Sequence, residues 1–450
     1  MKLYWLTALP LAGSAVAFLL PRRLRLYMAA LGLVTALACA RLALLMPLDN
    51  STLFLGQQWM LDRAGQSLLT LIYIATAMMI VVAVVAEQAD WFSPPVLASC
   101  GLLSAAVALR SALLSFMLLP AALLVLPLST LPSSPGAVRG ATRFLIWVAL
   151  PILCVPVAIT MLQRGALTPD QPGLTELSAW LVLPPVIMWW TLFPFDGTTR
   201  LWSRDQLSVT SAFLWTAKDW VIVYLLLALW RQYPLSYTRD VAGVLNIAGL
   251  GTAVVSGSLA FAQSNPSAVL ACAAMSELGI AVQGISVGST DGVLGGLFLL
   301  LSRSAAVLLA SSALAAARSA LARDAESNAS PYRWRSVIVL VGLAVGVLSM
   351  AGLPPLGGFS ARQQIYAALQ PENRYLLLAW LSATAGIVLG LVRTGWSLWH
   401  AEPTPSSEPL YDLPVLLVLC LLLLCLWIGL RSEATARLLS ELFRDLLPLS

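Results

Sequence analysis

Residues 349–362 read SMAGLPPLGGFSAR, and they break an otherwise apolar stretch with prolines, glycines and an arginine. Proline cannot donate a backbone N–H and glycine loosens a helix, so such a segment persists at membrane depth only where it is buried in protein or lines a wet cavity. A second break occupies residues 193–220, FPFDGTTRLWSRDQ followed by an apolar run that contains Lys218 and Asp219. In transporters, paired interruptions point to the working site, although either break alone also fits an ordinary turn between helices. The predicted broken-helix residues are Pro194, Pro354, Pro355, Gly357 and Gly358.

The composition around these breaks is that of a membrane protein. Hydrophobic residues make up 59% of the 450 positions and charged residues 10%, whereas soluble domains carry about 25% charged residues. These values exclude a water-soluble protein. The net charge of +5 comes without a run of like charges, so no nucleic-acid surface is predicted, and we assign the excess to loop arginines facing a cytoplasmic leaflet.

A membrane helix needs about 20 mostly apolar residues, and this length divides the chain into about fourteen apolar segments with no soluble domain between them. The predicted fold class is therefore an all-α polytopic membrane protein with about 14 transmembrane helices. The segments are 3–20, 26–46, 67–86, 94–109, 111–130, 141–162, 176–194, 208–230, 241–263, 266–287, 292–316, 335–369 with a break, 374–399 and 410–430.

The first apolar segment could be read as a signal peptide, because Lys2 precedes it and small residues lie near its end. However, Arg22, Arg23 and Arg25 would follow such a cleavage site directly, and positive charge there favours a retained helix whose C-terminal end is cytoplasmic. We therefore expect a multi-pass protein of the bacterial cytoplasmic membrane with its N-terminus outside.

The sequence predicts no cofactor, metal site or redox centre. His400 is the only histidine, and the chain contains neither a P-loop nor a dinucleotide-binding motif. All cysteines lie in apolar stretches and none forms a C-x-x-C pair. They are Cys39, Cys100, Cys154, Cys272, Cys420 and Cys425.

Several charged residues fall inside the apolar segments. A charge at the centre of a membrane helix costs about 2.5–3.5 kcal/mol on insertion scales, so each is a functional hypothesis. Arg41 and Arg393 lie near segment ends and are interpreted as reaching the membrane surface. The remaining candidates are Lys218, Glu277, Arg303 and Arg362.

Lys218 lies about ten residues into its segment, and lysine is the basic residue that most readily changes protonation when buried. We expect it to carry protons, the alternative being a structural ion pair with another helix. Asp219 should point about 100° away around the helix, so it is not expected to pair with Lys218. Arg303 remains protonated and can anchor water or a carboxylate but cannot pass protons on.

Four stretches carry a family resemblance. Pro194-Phe195-Asp196, followed later by Lys218, resembles a P-F-H-x-W-L-P-D loop and its helical lysine. QSNPSAVLACAAMSELG (263–279) resembles Q-T-N-I-K-R-L-L-A-Y-S-S-I-x-H-x-G, and LLSRS (300–304) resembles L-L-T-H-A. Residues 349–362 resemble S-L-A-G-I-P-P-L-x-G-F-x-x-K. In this order they are similar to the antiporter-like membrane subunits of respiratory complex I and its relatives, including Mrp-type antiporters and membrane-bound hydrogenases, with the N-type subunit most similar.

The resemblance extends over about residues 90–400 and implies two inverted five-helix repeats with broken helices. The implied partners are other membrane subunits of a multisubunit complex and the lipid bilayer, with quinone reached only through a neighbouring subunit. No redox chemistry is implied for this chain itself, although the parent complex resembles NADH:quinone oxidoreductase. The predicted units are an N-terminal three-helix segment (1–90), two antiporter-like repeats (91–240 and 241–400), and a C-terminal helix and tail (401–450).

The chain departs from the family where the family couples its subunits. The acidic residue of the fifth helix is missing, and the nearest charge is Arg110. Trp189 occupies the position of the seventh-helix lysine, and Ser267 that of the tenth-helix lysine. We therefore describe Trp189, Ser267 and Arg110 as degenerate relay positions.

Three hypotheses remain open from the sequence. The first is a proton- or cation-conducting subunit, with Lys218 central, Glu277 and Arg303 feeding it, and Arg362 at the exit. The second is a degenerate subunit that keeps the fold as a scaffold and carries no protons. The third is an independent transporter, for which the sequence shows no substrate motif.

Overall fold

The computed structural model describes residues 3–48, 51–86, 88–127, 135–167, 172–197, 208–326, 333–369, 374–399 and 413–447. The α-helices are α1 (Trp5–Leu19), α2 (Arg25–Leu45), α3 (Arg63–Val85), α4 (Ala89–Ala108), α5 (Ala112–Val125), α6 (Pro135–Ala149), α7 (Cys154–Leu167), α8 (Pro172–Trp190), α9 (Ser208–Phe213), α10 (Asp219–Gln232), α11 (Arg239–Ala260), α12 (Pro266–Ser286), α13 (Thr290–Glu326), α14 (Arg333–Met350), α15 (Gly357–Leu369), α16 (Arg374–Trp399), α17 (Leu413–Leu430) and α18 (Ser432–Leu442).

One short hairpin joins α2 to α3. Strands β1 (Thr52–Phe54) and β2 (Gln57–Trp59) pair antiparallel, with Thr52 opposite Trp59. Leu55 and Gly56 both have positive φ, 51° and 72°, as a two-residue primed turn requires. The hairpin is tied to the end of α4 by a bridge between Trp59 and Leu109.

The described residues form a polytopic membrane bundle. They include nine helical spans long and apolar enough to cross a bilayer, and α17 with α18 forms a further pair bent by 88°. Each predicted apolar segment falls on a helix or on a pair of consecutive helices. The all-α membrane fold is confirmed, whereas the count of fourteen spans and the inverted repeats stay predictions.

Three spans form the interior of the bundle. The apolar windows of α12, of α9 with α10, and of α13 are 100%, 94% and 89% buried, against 33% for α16. Small residues allow these backbones to approach closely, as is usual where lipid supplies little hydrophobic drive for helix association. At Gly279 of α12, an added Cβ would lie 2.6 Å from the backbone nitrogen of Ala253 in α11.

The first predicted break follows α8, which ends at Trp190. Hydroxyl groups of α11 hold the loop that follows: Thr252 Oγ1 accepts from Phe193 N at 2.7 Å, and Ser256 Oγ donates to Asp196 Oδ2 at 2.9 Å. The peptide bond before Pro194 is cis.

The second predicted break separates α14 from α15. Gly352 has a φ of +75°, and an added Cβ there would lie 2.6 Å from Arg362 Cδ. Glycine is therefore required twice, for its backbone conformation and for the close approach of the arginine. The Pro354–Pro355 peptide bond is cis, and α15 begins at Gly357.

A π-helical turn, Leu214–Lys218, joins α9 to α10. Single π turns of this kind occur frequently at functional sites. Here the turn ends on Lys218, and all five of its residues are buried.

Candidate functional site

Lys218 is held by the last turn of α8. Its side chain is 1% exposed, and Nζ donates to the backbone oxygens of Trp189 at 3.0 Å and Trp190 at 3.3 Å. The last carbonyls of a helix have no partner within the helix and carry partial negative charge. The C-terminal end of α8 is therefore a favourable binding position for an ammonium group.

Asp219 pairs with Lys218, contrary to our expectation. Lys218 Nζ lies 2.6 Å from Asp219 Oδ1, and Arg303 Nη1 lies 2.7 Å from Asp219 Oδ2. Helical periodicity places the two Cβ atoms on different faces, but the long lysine side chain and the local π turn bring Nζ to the carboxylate. The contact with another helix is made by Asp219, through Arg303 of α13, and not by Lys218 itself.

Arg303 is a fixed cation in the middle of the bundle. Nε donates to Ala274 O at 2.7 Å, and Nη1 donates to Trp215 O and to Asp219 Oδ2, both at 2.7 Å. Its Nη2 has no hydrogen-bond partner among the described residues. The guanidinium thus anchors a carboxylate, as its permanent charge led us to expect.

Glu277 is a buried carboxyl group without hydrogen bonds. Its side chain is 0% exposed, and within the described chain neither oxygen has a hydrogen-bond partner. The cations that act on it are Arg362, which acts most strongly, and Arg303. Gly358 of α15 lies against it, since an added Cβ there would be 3.0 Å from Oε1. A buried polar group left without partners is costly and marks a place for water or a proton.

Arg362 repeats the arrangement of Lys218 at the second break. Its Nη2 donates to the backbone oxygen of Met350, the last residue of α14, at 2.5 Å. Its Nη1 donates to Thr384 Oγ1 of α16 at 3.0 Å, and Thr384 in turn donates to Ala351 O at 3.0 Å. Nε is without a partner among the described residues.

Together these side chains form what we call the charged row: Lys218, Asp219, Arg303, Glu277 and Arg362. Both arginines interact electrostatically with Glu277, and the role of Glu277 in feeding Lys218 stays a prediction. Three cations face two carboxylates, so the row carries one net positive charge when every member is ionised. No group of three histidine, cysteine, aspartate or glutamate side chains in the described ranges could hold a metal ion.

The three degenerate relay positions lie in different parts of the structure. Trp189 belongs to the site through its backbone oxygen, while its indole Nε1 donates to Val148 O at 3.0 Å. Ser267 lies in the first turn of α12, where its N–H donates to the capping Asn265 side chain at 3.0 Å. Arg110, the charge nearest to the missing acid of the fifth helix, is exposed between α4 and α5. Arg41 and Arg393 are likewise exposed and outside the row.

Sequence reasoning missed Asp219 and the carbonyls of α8. A signal for Asp219 was present, because an aspartate beside a lysine within one apolar span is best explained by pairing. The carbonyls leave no trace in the sequence, since every residue has one.

The matching family model, described as NADH:quinone oxidoreductase/Mrp antiporter, TM, covers residues 207–388. "NADH-quinone oxidoreductase subunit N" of Leptospira interrogans is 26% identical over 209 residues, which is 45% of this chain and 40% of that protein. "NAD(P)H-quinone oxidoreductase subunit 2" of Synechocystis sp. is 26% identical over 174 residues, 36% of this chain and 32% of that protein. The matched segment thus spans two fifths or less of these relatives.

Solved structures extend the likeness to the whole fold. Respiratory complex I from Thermus thermophilus with bound NADH contains a chain that matches with a TM-score of 0.76 at 20% identity, covering 99% of this chain and 100% of that one. The archaeal membrane-bound sulfane sulfur reductase matches with a TM-score of 0.81 at 15% identity, covering 99% and 97%. The Mrp complex from Dietzia sp. matches with a TM-score of 0.74 at 16% identity, also covering 99% and 97%.

All members of the charged row lie within residues 207–388, the part that matches the family in sequence, while the structural matches extend over nearly the entire chain. The protein is therefore a multi-pass membrane protein that shares its fold with the matched chains of these complexes, and its residues 207–388 are similar in sequence to the NADH:quinone oxidoreductase/Mrp antiporter membrane family.

Proposed function

We propose that this protein is a membrane-arm subunit of a complex I-like assembly and that it conducts protons along the charged row. The observation that carries the proposal is Glu277, a fully buried carboxyl group with no hydrogen-bond partner among the described residues, set between Arg303 and Arg362. We place the assembly in the bacterial cytoplasmic membrane, with the N-terminus outside and other membrane subunits at its flanks.

The members of the row divide into fixed and exchangeable charges. Arg303 and Arg362 stay protonated and set the field along the row. Lys218 and Glu277 can each gain and lose a proton. Because Asp219 also contacts Arg303, it keeps an ion-pair partner when Lys218 is neutral. The row can therefore change its protonation state without leaving a carboxylate unpaired at that end.

Protons suit this row better than metal cations. A sodium ion at the Glu277 carboxyl group would lie close to two guanidinium groups in a poorly screened interior, where like charges repel strongly. A proton neutralises Glu277 without adding a separate charge to the site.

One observation favours a scaffold as the second candidate. Trp189 occupies the position at which the related pumps carry a lysine, and its backbone oxygen, Trp190 O and Asp219 together hold Lys218 in place. A subunit whose Lys218 is held in this way could retain the fold and its contacts with neighbouring subunits without conducting protons.

Glu277→Gln separates the two candidates. The amide has nearly the same shape as the carboxyl group but cannot take up and release the proton, so conduction predicts fewer protons translocated per turnover. The measurement uses the purified assembly that contains this chain, reconstituted in liposomes with a pH-sensitive dye. We expect a loss of at least half of the proton stoichiometry attributable to this subunit.

Ser276→Ala is the matched control, because Ser276 neighbours Glu277 on α12 and donates only to Ala253 O, at 2.8 Å. Glu277→Asp should restore part of the lost stoichiometry. Unchanged proton stoichiometry in a fully assembled Glu277→Gln complex would favour the scaffold and refute conduction through the row.

A further inference from the structure

A polar cavity of about 540 Å³ opens at the end of the bundle where α3 begins and α4 and α10 end. Four charged side chains line it: Asp62, Arg110, Arg231 and Asp445. A space of this size with polar walls holds water. None of these residues belongs to the charged row, and three of them lie outside the segment that matches the family in sequence.

Asp62 is fixed at the inner wall of this cavity. Its Oδ1 accepts from Gly65 N at 2.7 Å, which caps α3, and from the buried Tyr224 hydroxyl at 3.0 Å. Burial raises the pKa of Asp62 above its usual range, and the hydrogen bonds from Gly65 and Tyr224 oppose this rise. Asp445 raises this pKa further, while Arg231 lowers it. The carboxyl group is thus held in a fixed position at the cavity wall, with a raised pKa.

Helix α10 links the cavity to Lys218. The helix presents Leu225, Ala228, Leu229 and Gln232 to the cavity, and their spacing defines one face. Lys218 precedes Leu225 by seven residues, two turns, so it lies on that same face about 10 Å along the axis. The opposite face of α10, with Leu227 and Trp230, lines a second cavity, which adjoins the first at Arg231, Asp445 and Leu446.

The barrier between the cavity and Lys218 is thin and apolar. Val221 and Ile222 occupy the intervening turn of this face, and both are buried. Apolar constrictions can gate channels by wetting and drying. Phe443 of the C-terminal segment packs nearby, stacked on Trp220 with ring centroids 5.7 Å apart, and Asp445 and Leu446 continue into the cavity wall.

We propose that this cavity is a vestibule through which hydrated protons exchange with Lys218, with Asp62 as the exchanging group and the apolar turn of α10 as the gate. This inference rests on the proposed conduction along the charged row. Two carboxylate groups and two guanidinium groups line the wall, so their charges balance when all four are ionised, and in this proposal passage is by proton transfer through water. The vestibule gives residues of the N-terminal helices and the C-terminal segment a role in transport.

The test blocks the vestibule after the protein has assembled. A cysteine introduced as Ala228→Cys, on the cavity-facing side of α10, is modified in proteoliposomes with a cationic, membrane-impermeant methanethiosulfonate. We expect at least a twofold loss of proton translocation. Leu227→Cys, one residue away and facing the other cavity, is the matched control and should lose little. The unsubstituted protein treated in the same way sets the contribution of the native cysteines.

A second variant tests the carboxyl group without removing the helix cap. Asparagine caps helices as well as aspartate does, so Asp62→Asn removes the exchangeable proton and leaves α3 intact. We expect proton translocation to fall severalfold and its dependence on bulk pH to flatten.

Three outcomes would overturn the vestibule. They are failure of Ala228→Cys to react, full proton translocation after it has reacted, and equal losses of translocation at positions 228 and 227. These results are distinguishable from failure of the proposed function. If Glu277→Gln abolishes translocation while blocked Ala228→Cys retains it, conduction stands and the vestibule is wrong. If Glu277→Gln has no effect, conduction itself fails.

Discussion

The two helix breaks of this protein hold their cations in the same way and neutralise them differently. Lys218 rests on the last carbonyls of α8, and Arg362 on the last carbonyl of α14. Lys218 is also in direct contact with a carboxylate, at 2.6 Å. Arg362 acts on Glu277 only through space, and Glu277 makes no hydrogen bond within the described chain.

This difference indicates which of the two breaks can change its protonation state more easily. Lys218 and Arg303 both lie within ion-pair distance of Asp219, so we call the first break the closed end of the row. At the second break, neither oxygen of Glu277 nor Nε of Arg362 has a hydrogen-bond partner among the described residues, and we call this the open end. A change in protonation costs less free energy at Glu277, which makes no ion-pair contact, than at Lys218, which is already paired with Asp219. The following substitutions test that contrast.

Asp219→Ala should have the largest effect, because it removes the carboxylate at the closed end. It leaves Lys218 and Arg303 buried without their shared carboxylate, and removal of one partner from a buried ion pair costs about 3–5 kcal/mol. We expect loss of assembly or a strongly reduced thermal stability of the purified complex. Asp240→Ala, at an exposed position on α11, is the control, and wild-type stability of Asp219→Ala would contradict the closed-pair description.

Gly352→Ala should displace Arg362, the cation of the open end. Its φ of +75° is unfavourable for alanine, and the added Cβ would lie 2.6 Å from Arg362 Cδ. We expect a loss of about 1–3 kcal/mol, together with impaired proton translocation, as measured by thermal unfolding and by the liposome assay. Gly243→Ala, where an added Cβ meets nothing within 4 Å, should be neutral or slightly stabilising. Equal behaviour of the two variants would contradict a specific requirement at Gly352.

Thr384→Val tests how firmly Arg362 is oriented. The hydroxyl of Thr384 accepts from Arg362 and donates to Ala351 O, so its loss should cost about 1–3 kcal/mol, as for a bond to a charged group. Proton translocation should fall with it, because Arg362 gains freedom next to Glu277. Thr394→Val, whose hydroxyl bonds only within α16, is the matched control. Translocation equal to that of the control would show that Arg362 keeps its place without Thr384.

Trp189→Phe should have the smallest effect. The contact with Lys218 uses the backbone oxygen, which phenylalanine also supplies, whereas the indole N–H donates elsewhere, to Val148 O. We expect a stability loss of about 1 kcal/mol and unchanged proton translocation. A large loss of translocation would mean that the indole itself takes part in the charged row.

Much of the fold followed from hydropathy and from the two proline breaks, because a bilayer requires long apolar segments and restricts where a helix can stop. The candidate residues Lys218, Glu277, Arg303 and Arg362 followed from the cost of burying charge. Their arrangement did not follow. Asp219 was set aside because helical periodicity describes where Cβ atoms lie, whereas a lysine side chain reaches across that angle.

Arg110 illustrates a further limit of sequence distance. It is the nearest charge in the sequence to the position of the missing acid, and it lies exposed between α4 and α5, outside the charged row. Distance along the chain is a poor guide there, because a few residues at a helix end separate the interior from the surface.

The sequence by itself determined that the chain is an all-α membrane protein, where its helices break and which charges lie in apolar surroundings, because these properties depend on local composition. Only the tertiary structure decided which charges meet, that Asp219 joins Lys218 to Arg303, that Glu277 stands between two arginines without a hydrogen bond among the described residues, and that α10 links a polar cavity to Lys218. Those relations join helices that are far apart in sequence. They depend on how the glycine-rich surfaces of α11, α12 and α15 bring the backbones together.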